Sequence, residues 1–496
     1  MDLTTLEARL LDLNYRWSAD ALTLWRGTGT PRNGYRIYDG EGDLLRVENL
    51  AVIDGATGDG VTAIRRSRLR HGLIDHYLQR EMLPHELEMR TWMRGAKAVV
   101  DGDRIPFKEI IPWCQKSSTY ETRRILQKET GPLCKFLKPF ALNYWTLLLE
   151  MLKEAFGFGT YVDYCRKKKG IDYGRFYDLA VDLLDRTGDL YFPAMEHWTR
   201  RRFHRPLSDL NRFDAIKLLS LEEFDDRYPD IDLSAYLRFF NRWGIDVERM
   251  DNLRLELGTE TEKTAQGMSF FLKVPEEVHV LMRPQNGWID LETLFHELGH
   301  GLSAAFTSPH LPAVDRNMAT SFSLSEAFAF LLQRAALSQP FLREFPGCDE
   351  ETIAALGYHR TLRDLSVFRR YAAKFVSEYE MFRSGDLENG QPYADHMARH
   401  TGFYHQPESH LFDLVPEFYS LDYLLGWMGA AMMESTLRAR FGDGWFFRPE
   451  TGDLLREWWG QGNRQDIFGF LEENGLGPLT PAPLLERWQG IFGNRG

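Results

Sequence analysis

Cysteine is scarce in this chain: Cys114, Cys134, Cys165 and Cys348 are the only four in 496 residues, far apart and without a CxxC pair. So few cannot staple a chain of this length, which excludes a disulfide scaffold and leaves reduced thiols of a cytoplasmic protein as the expectation. Long apolar runs are absent too. The best candidate, YLLGWMGAAMM from Tyr423, falls well short of the roughly 20 residues that a membrane-spanning helix needs. The N-terminus, MDLTTLEARLLDLNYRW, has neither the basic start nor the apolar centre of a signal peptide. A basic surplus is also missing: the formal net charge is -12, and the one basic run is the short CRKKKG around Lys167. Nucleic acid and membrane partners are therefore not expected.

A 43% hydrophobic and 13% aromatic composition supplies enough apolar surface for a large folded core and argues against disorder. Apolar residues recur at three and four in Leu3 to Trp25, Tyr120 to Gln127, Phe140 to Phe156 and Phe176 to Thr187, the period of amphipathic helices. The chain reads as mainly α. Breaks are local: GTGTPRNG after Arg26, GDLENGQP from Gly385, GDGWFFRPETGD from Gly442 and GLGPLTPAP from Gly475. None is long enough for a flexible linker, so the expectation is one body of two lobes. Four short stretches read as strands. YRIYDGEGDLLRV suggests a hairpin about Asp39 to Gly42, AKAVVDGDRIPF another about Asp101 to Asp103, and GMSFFLKV and VHVLMRP a pair from Gly267 and Val278.

LETLFHELGHGLSAAF, from Leu291, carries the chemistry. At about 100° per residue, Leu291, Leu294, Phe295, Leu298, Leu302, Ala305 and Phe306 form one apolar stripe, with His296, Glu297 and His300 on the other side. A surface helix would place lysine, arginine and glutamate there, so this helix is expected to be covered on both faces. Imidazoles four residues apart stand one turn above the other and can share one tetrahedral zinc. The intervening glutamate can then serve as a general base for water.

A catalytic zinc takes three protein ligands and keeps one open position. Ser303 and Phe306 stand where a metzincin has glycine and histidine, which excludes that class. Between His300 and Glu326 the only carboxylate is Asp315. Glu326, in SLSEAFAFLLQ, lies opposite a stripe of Leu324, Ala327, Phe328, Leu331 and Ala335. It is either the third ligand or the glutamate of a Ser323-x-x-Glu326 capping box. The upstream histidines favour the ligand. Asp290 could orient a ligand histidine, although N-capping is its ordinary role and the preferred one. The second histidine pair, His396 and His400, has Met397 in place of a base and Arg399 beside it, and reads as a solvated helix face.

These residues resemble the thimet oligopeptidase and oligoendopeptidase F family of zinc peptidases, which are gluzincins. DLETLFHELGHGLS resembles the D-x-x-T-L-x-H-E-x-G-H block, SLSEAFAFLLQ the segment with the third ligand, and GMSFF and VHVLMRP a glycine-led strand and an edge strand. FYSLDYLLGWMGAAM is similar to the family's F-Y-x-x-x-Y-x-x-G segment. The resemblance runs from about Gly267 to the end. It implies a two-lobed helical fold with a deep cleft and a small sheet beside the zinc helix. A helical N-terminal lobe over 1–190 would precede a zinc-binding catalytic lobe over 191–496. One Zn2+ would be bound by His296, His300 and Glu326, Glu297 would activate water, and Tyr423 and Tyr419 would stabilise the oxyanion. Substrates would be short peptides, and the edge strand at Val278 to Met282 would pair with them.

The chain departs from the pattern at two places. Asp413 stands where the family has a histidine before the first tyrosine, with His410 three residues earlier as a substitute contact for substrate. Gln333 replaces a glutamate often seen seven residues after the third ligand. Two alternatives remain open at this level: a zinc carboxypeptidase of similar helical build, and a relative that binds metal or peptide without turnover.

Overall fold

The computed structural model describes residues 1–27, 36–58, 62–227, 232–258 and 267–493. Most of them are helical, as the periodicity implies. The chain divides into two compact units. One is built from Met1–Arg80, Asp225–Ala354 and Leu425–Leu484, the other from Glu81–Phe224, Ala355–Leu424 and Leu485–Gly496. Residue 190, the boundary expected from the sequence, falls within the second unit, in the helix Gly188–Phe203.

In the first unit the helix Leu3–Trp25 starts where Asp2 accepts the Thr5 amide, and it buries Leu6, Leu10, Leu13 and Leu22. Leu22 packs on a three-stranded sheet through Leu272 and Leu281. The sheet contains Leu253–Leu257 (β3), Gly267–Lys273 (β4) and Glu277–Met282 (β5), in the order β3-β5-β4. β5 runs parallel to β3 and antiparallel to β4, with Val280 opposite both Leu255 and Ser269. VHVLMRP is thus the central strand and not the edge strand expected from the sequence. β3 is what displaces it: LRLEL has charged residues interrupting its leucines, and β4 comes between it and its partner in the sequence. The outer strand nearest the site is β4.

The motif helix, Trp288–Ala305, lies against this sheet. Most of its apolar stripe is fully buried, with Leu291, Leu294, Phe295, Leu298 and Leu302 all at 0% exposure and Phe306 at the helix end partly buried. Phe295 anchors it in an aromatic core, its ring centroid 5.6, 5.2 and 5.3 Å from those of Phe239, Phe240 and Phe341.

The second unit contains the hairpin Lys97–Val100 (β1) and Asp103–Pro106 (β2), predicted correctly because Asp101 and Gly102 supply the two positive φ values of a tight turn. Its apolar face packs with Ile110, Leu126 and Phe213. Tyr120–Glu154 is one 35-residue helix where the periodicity gave two segments, and it continues through Pro132 and Pro139. Pro132 lacks the N–H that would bond the Lys128 carbonyl, and beside that break the Gln406 side-chain amide donates to the Gln127 carbonyl.

The hairpin expected at YRIYDGEGDLLRV does not form over the described residues 36–47, where two helical residues are followed by turns that lead into a short 3-10 helix. Side chains take up backbone carbonyls that a ladder would have engaged and add ion pairs to the acidic groups of the turns. Arg16 donates to the Ile37 carbonyl, Arg9 to Glu41 and Asp43, and Asn49 to the Asp43 and Leu44 carbonyls. Tyr35 and the break at 28–34 lie outside the described residues.

Candidate metal centre

His296 and His300 project from the motif helix, their rings 4.9 Å apart. Glu326 comes from the helix Ser323–Ala336, which packs directly on the first. The two helices meet at Gly299, where a Cβ would lie 2.4 Å from the Ala329 Cα, so only glycine permits this approach. On its other side Glu326 is covered by Gly426, whose Cβ would stand 2.6 Å from that of Glu326. The capping-box alternative does not form: the N-cap is Phe322, with no side-chain cap bond. The Glu326 carboxylate instead faces both imidazoles, its oxygens 3.6 Å from His296 Nε2 and 3.7 Å from His300 Nε2.

The three side chains can present one ligand atom each, all within 4.8 Å of one another, and no other such group occurs among the described residues. Ligands about 2.0–2.1 Å from a tetrahedral zinc are spaced by about 3.3 Å, so the donors stand close to the separation an ion would impose. Burial holds both histidines neutral, His296 down to about 4 despite its bond to the Gln333 oxygen, and His300 well below its ordinary value, with the neighbouring His296 adding to the effect. Two neutral imidazoles with lone pairs on one carboxylate fit a divalent cation of the zinc type.

The far side of each ring is held. His296 Nδ1 lies 2.8 Å from the Gln333 side-chain oxygen, and His300 Nδ1 lies 2.7 Å from Ser325 Oγ. Phe330 closes against His296 at 5.2 Å and stacks on Trp427 at 4.5 Å. Glu297 is buried beside the pair. Burial pushes its carboxyl up to about 7, against the pull of Ser269 on β4, whose hydroxyl donates at 2.7 Å. β4 approaches so closely that a Cβ on Gly267 would meet Glu297 Cγ at 2.5 Å.

Asp290 is not the N-cap, a position held by Gly287. It sits in the first turn, and its carboxylate accepts the amides of Gln285 and Asn286 at 2.7–3.0 Å, fastening the turn that enters the helix. The other candidates belong to the second unit. Tyr419 and Tyr423 begin the helix Tyr419–Phe441, with rings 5.0 Å apart, and Tyr423 lies 4.8 Å from Tyr371. His410 is buried, its ring nitrogens 2.8 and 2.9 Å from the Pro407 and Leu387 carbonyls. Asp413 bonds Arg370 at 2.6 Å and the Tyr393 hydroxyl at 2.9 Å. Burial opposes its charge, but Arg370, Lys374 and Arg212 outweigh it and hold the carboxyl well below its usual range. His396 and His400 are half-buried rather than solvated, with His396 Nε2 2.8 Å from Glu380.

Sequence reasoning gave no role to Ser269, Ser325 or Glu292, and treated Gln333 only as a departure. For Gln333 a signal existed: seven residues, two helical turns, place it on the same face as Glu326.

No family model and no curated protein matches the sequence. Solved structures do match. A protein described as an oligoendopeptidase F from Bacillus anthracis str. Ames superposes with a TM-score of 0.56 at 12% identity, over 93% of this chain and 79% of that one. A PZ peptidase A determined with an inhibitor gives a TM-score of 0.58 at 12% identity, over 92% of this chain and 85% of that one. The fold is shared with both across nearly the whole chain.

Proposed function

We propose that the chain is a zinc-dependent oligopeptidase that cleaves short peptides. The observation carrying this reading is the convergence of His296 Nε2, His300 Nε2 and the Glu326 carboxylate on one point, with Glu297 buried alongside. A shared fold with an oligoendopeptidase F and a PZ peptidase A supports it. Zinc bound there would supply Lewis acidity to water and to the scissile carbonyl. Glu297, poised near neutrality by burial, takes a proton from the water and delivers it to the leaving amine. Ser269 keeps that carboxylate in place. Among the described residues β4 pairs only with β5, so its outer edge is where an extended peptide would add as a further strand. The oxyanion role of Tyr423 and Tyr419 is part of the proposal through the family resemblance.

The deciding experiment is cleavage of a fluorogenic peptide library by the wild type and by Glu297→Gln. The variant is expected to keep one zinc and lose turnover. Cleavage surviving in Glu297→Gln would overturn the mechanism. C-terminally amidated substrates separate internal cleavage, which tolerates the amide, from carboxypeptidase action, which does not. No helix among the described residues is long and apolar enough to cross a membrane. A cytoplasmic site of action is part of the proposal.

A further inference from the structure

We infer that Glu292 and Gln333 form a relay that fixes the ring tautomer of His296, setting its Nε2 lone pair toward Glu326 before any metal arrives. The inference rests on the metal reading above.

A neutral imidazole carries one proton, and it can ligate through Nε2 only when that proton sits on Nδ1. At His296 the atom facing Nδ1 is the Gln333 side-chain oxygen, 2.8 Å away. A carboxylate there would accept the proton without ambiguity. An amide does not, because a half-turn exchanges its oxygen for its NH2 group. The flipped amide would donate to Nδ1, force the proton onto Nε2 and close that nitrogen to a metal.

Glu292 removes the ambiguity. Its carboxylate, buried one turn before His296 on the motif helix, lies 2.8 Å from the Gln333 amide nitrogen. A carboxylate accepts and an NH2 group donates, so the amide must turn its nitrogen to Glu292 and its oxygen to His296. One orientation satisfies both contacts, and the flipped one would set oxygen against oxygen in a buried place. His300 has a different arrangement. Its Nδ1 meets the Ser325 hydroxyl at 2.7 Å, a group that can donate or accept and therefore selects no tautomer. The glutamine that replaces the family's glutamate thus comes with a carboxylate one residue further out, which performs the same selection at a distance.

The exchange of the two side chains tests this. Glu292→Gln is nearly isosteric but lets both amides turn together. Zinc affinity, measured by competition with a chromogenic chelator, is expected to fall about 10-fold, within the range for loss of such outer contacts. In metal-free protein the 15N ring signals of His296 should shift from the Nδ1–H form to a mixture. The double variant Glu292→Gln/Gln333→Glu moves the carboxylate next to the ring, where it accepts from His296 and from the amide then at position 292. It should regain the wild-type ring spectrum and come within about threefold of wild-type affinity. The relay is overturned if Glu292→Gln keeps the wild-type spectrum and affinity, or if the double variant is no better than the single one. A wild type that binds zinc but cleaves no peptide overturns the oligopeptidase reading alone, while the metal-free spectra still decide the relay.

Discussion

Gly299 and Ala329 lie in such close contact that a methyl group on the glycine would overlap the alanine backbone, 2.4 Å from Cα and 2.8 Å from the Phe328 carbonyl oxygen. That contact sets the distance between the two ligand-bearing helices. His296 and His300 stand on one helix and Glu326 on the other, so the 3.6 and 3.7 Å approaches of the carboxylate depend on it.

Gly299→Ala is therefore expected to damage the metal centre without touching a ligand. Backbone atoms cannot rotate away as a flexible side chain could, so the helices must separate. Overpacking of this kind costs about 1–3 kcal/mol. Thermal denaturation and zinc titration of the same sample should show a lower melting temperature together with weaker binding. Wild-type values in both would mean that another contact sets the helix spacing.

Ser269→Ala tests how Glu297 is held. Burial raises the Glu297 carboxyl, and the Ser269 hydroxyl donates to it and lowers it. Removing a donor from the charged form raises the pKa further, so the acidic limb of the kcat/KM profile should move up by about one pH unit. Zinc content should not change. An acidic limb that stays in place would show that the hydroxyl does not stabilise the ionised base.

The motif helix was legible in the sequence because its signal is local: the spacing of His296 and His300 and the stripe at Leu291, Leu294, Phe295 and Leu298 both come from one helical period. Glu326 was legible only as one of two alternatives, since Ser323-x-x-Glu326 is also a cap pattern, and the choice depends on a neighbouring helix. The misreadings share a cause. β5 was taken for an edge through the resemblance, because its parallel partner Leu253–Leu257 alternates weakly and is separated from it in the sequence by β4. The turns after Arg36 were taken for a hairpin because Arg9 and Arg16, far away in sequence, decide where those groups bond. Gln333 was seen as a loss, since only the fold shows Glu292 behind it.

Removing the metal should cost stability. An ion bridging two helices binds the folded chain and not the unfolded one, contributing about 4 kcal/mol at a free concentration of about 1,000 times Kd. Chelation of the zinc-loaded protein should lower its melting temperature, and added zinc should restore it. In Glu326→Gln, which loses the only carboxylate of the ligand group, added zinc should leave the melting temperature unchanged. A zinc-dependent rise that persists in this variant would place the ion elsewhere.

Glu378, in the second unit, should make the fold more stable in mild acid than above neutral pH. Its carboxyl is 3% exposed; the Ser420 hydroxyl and the Val415 amide donate to it, Lys374 lies 3.9 Å away, and Asp413 shares that lysine at 3.8 Å. Burial raises it from 4.5 to about 7, more than Lys374 and the hydrogen bonds can offset. Between those values the folded chain keeps a proton that the unfolded chain has released. Stability therefore falls as the pH climbs through this window and levels off above it. At about 1.4 kcal/mol per pH unit, the loss reaches roughly 3 kcal/mol. Glu378→Gln has no proton to release, so its stability relative to the wild type should rise by about that amount between pH 4.5 and pH 8. Denaturant unfolding at the two pH values measures the difference. A constant difference would mean that Glu378 is already ionised in the fold and that its contact with Lys374 outweighs burial.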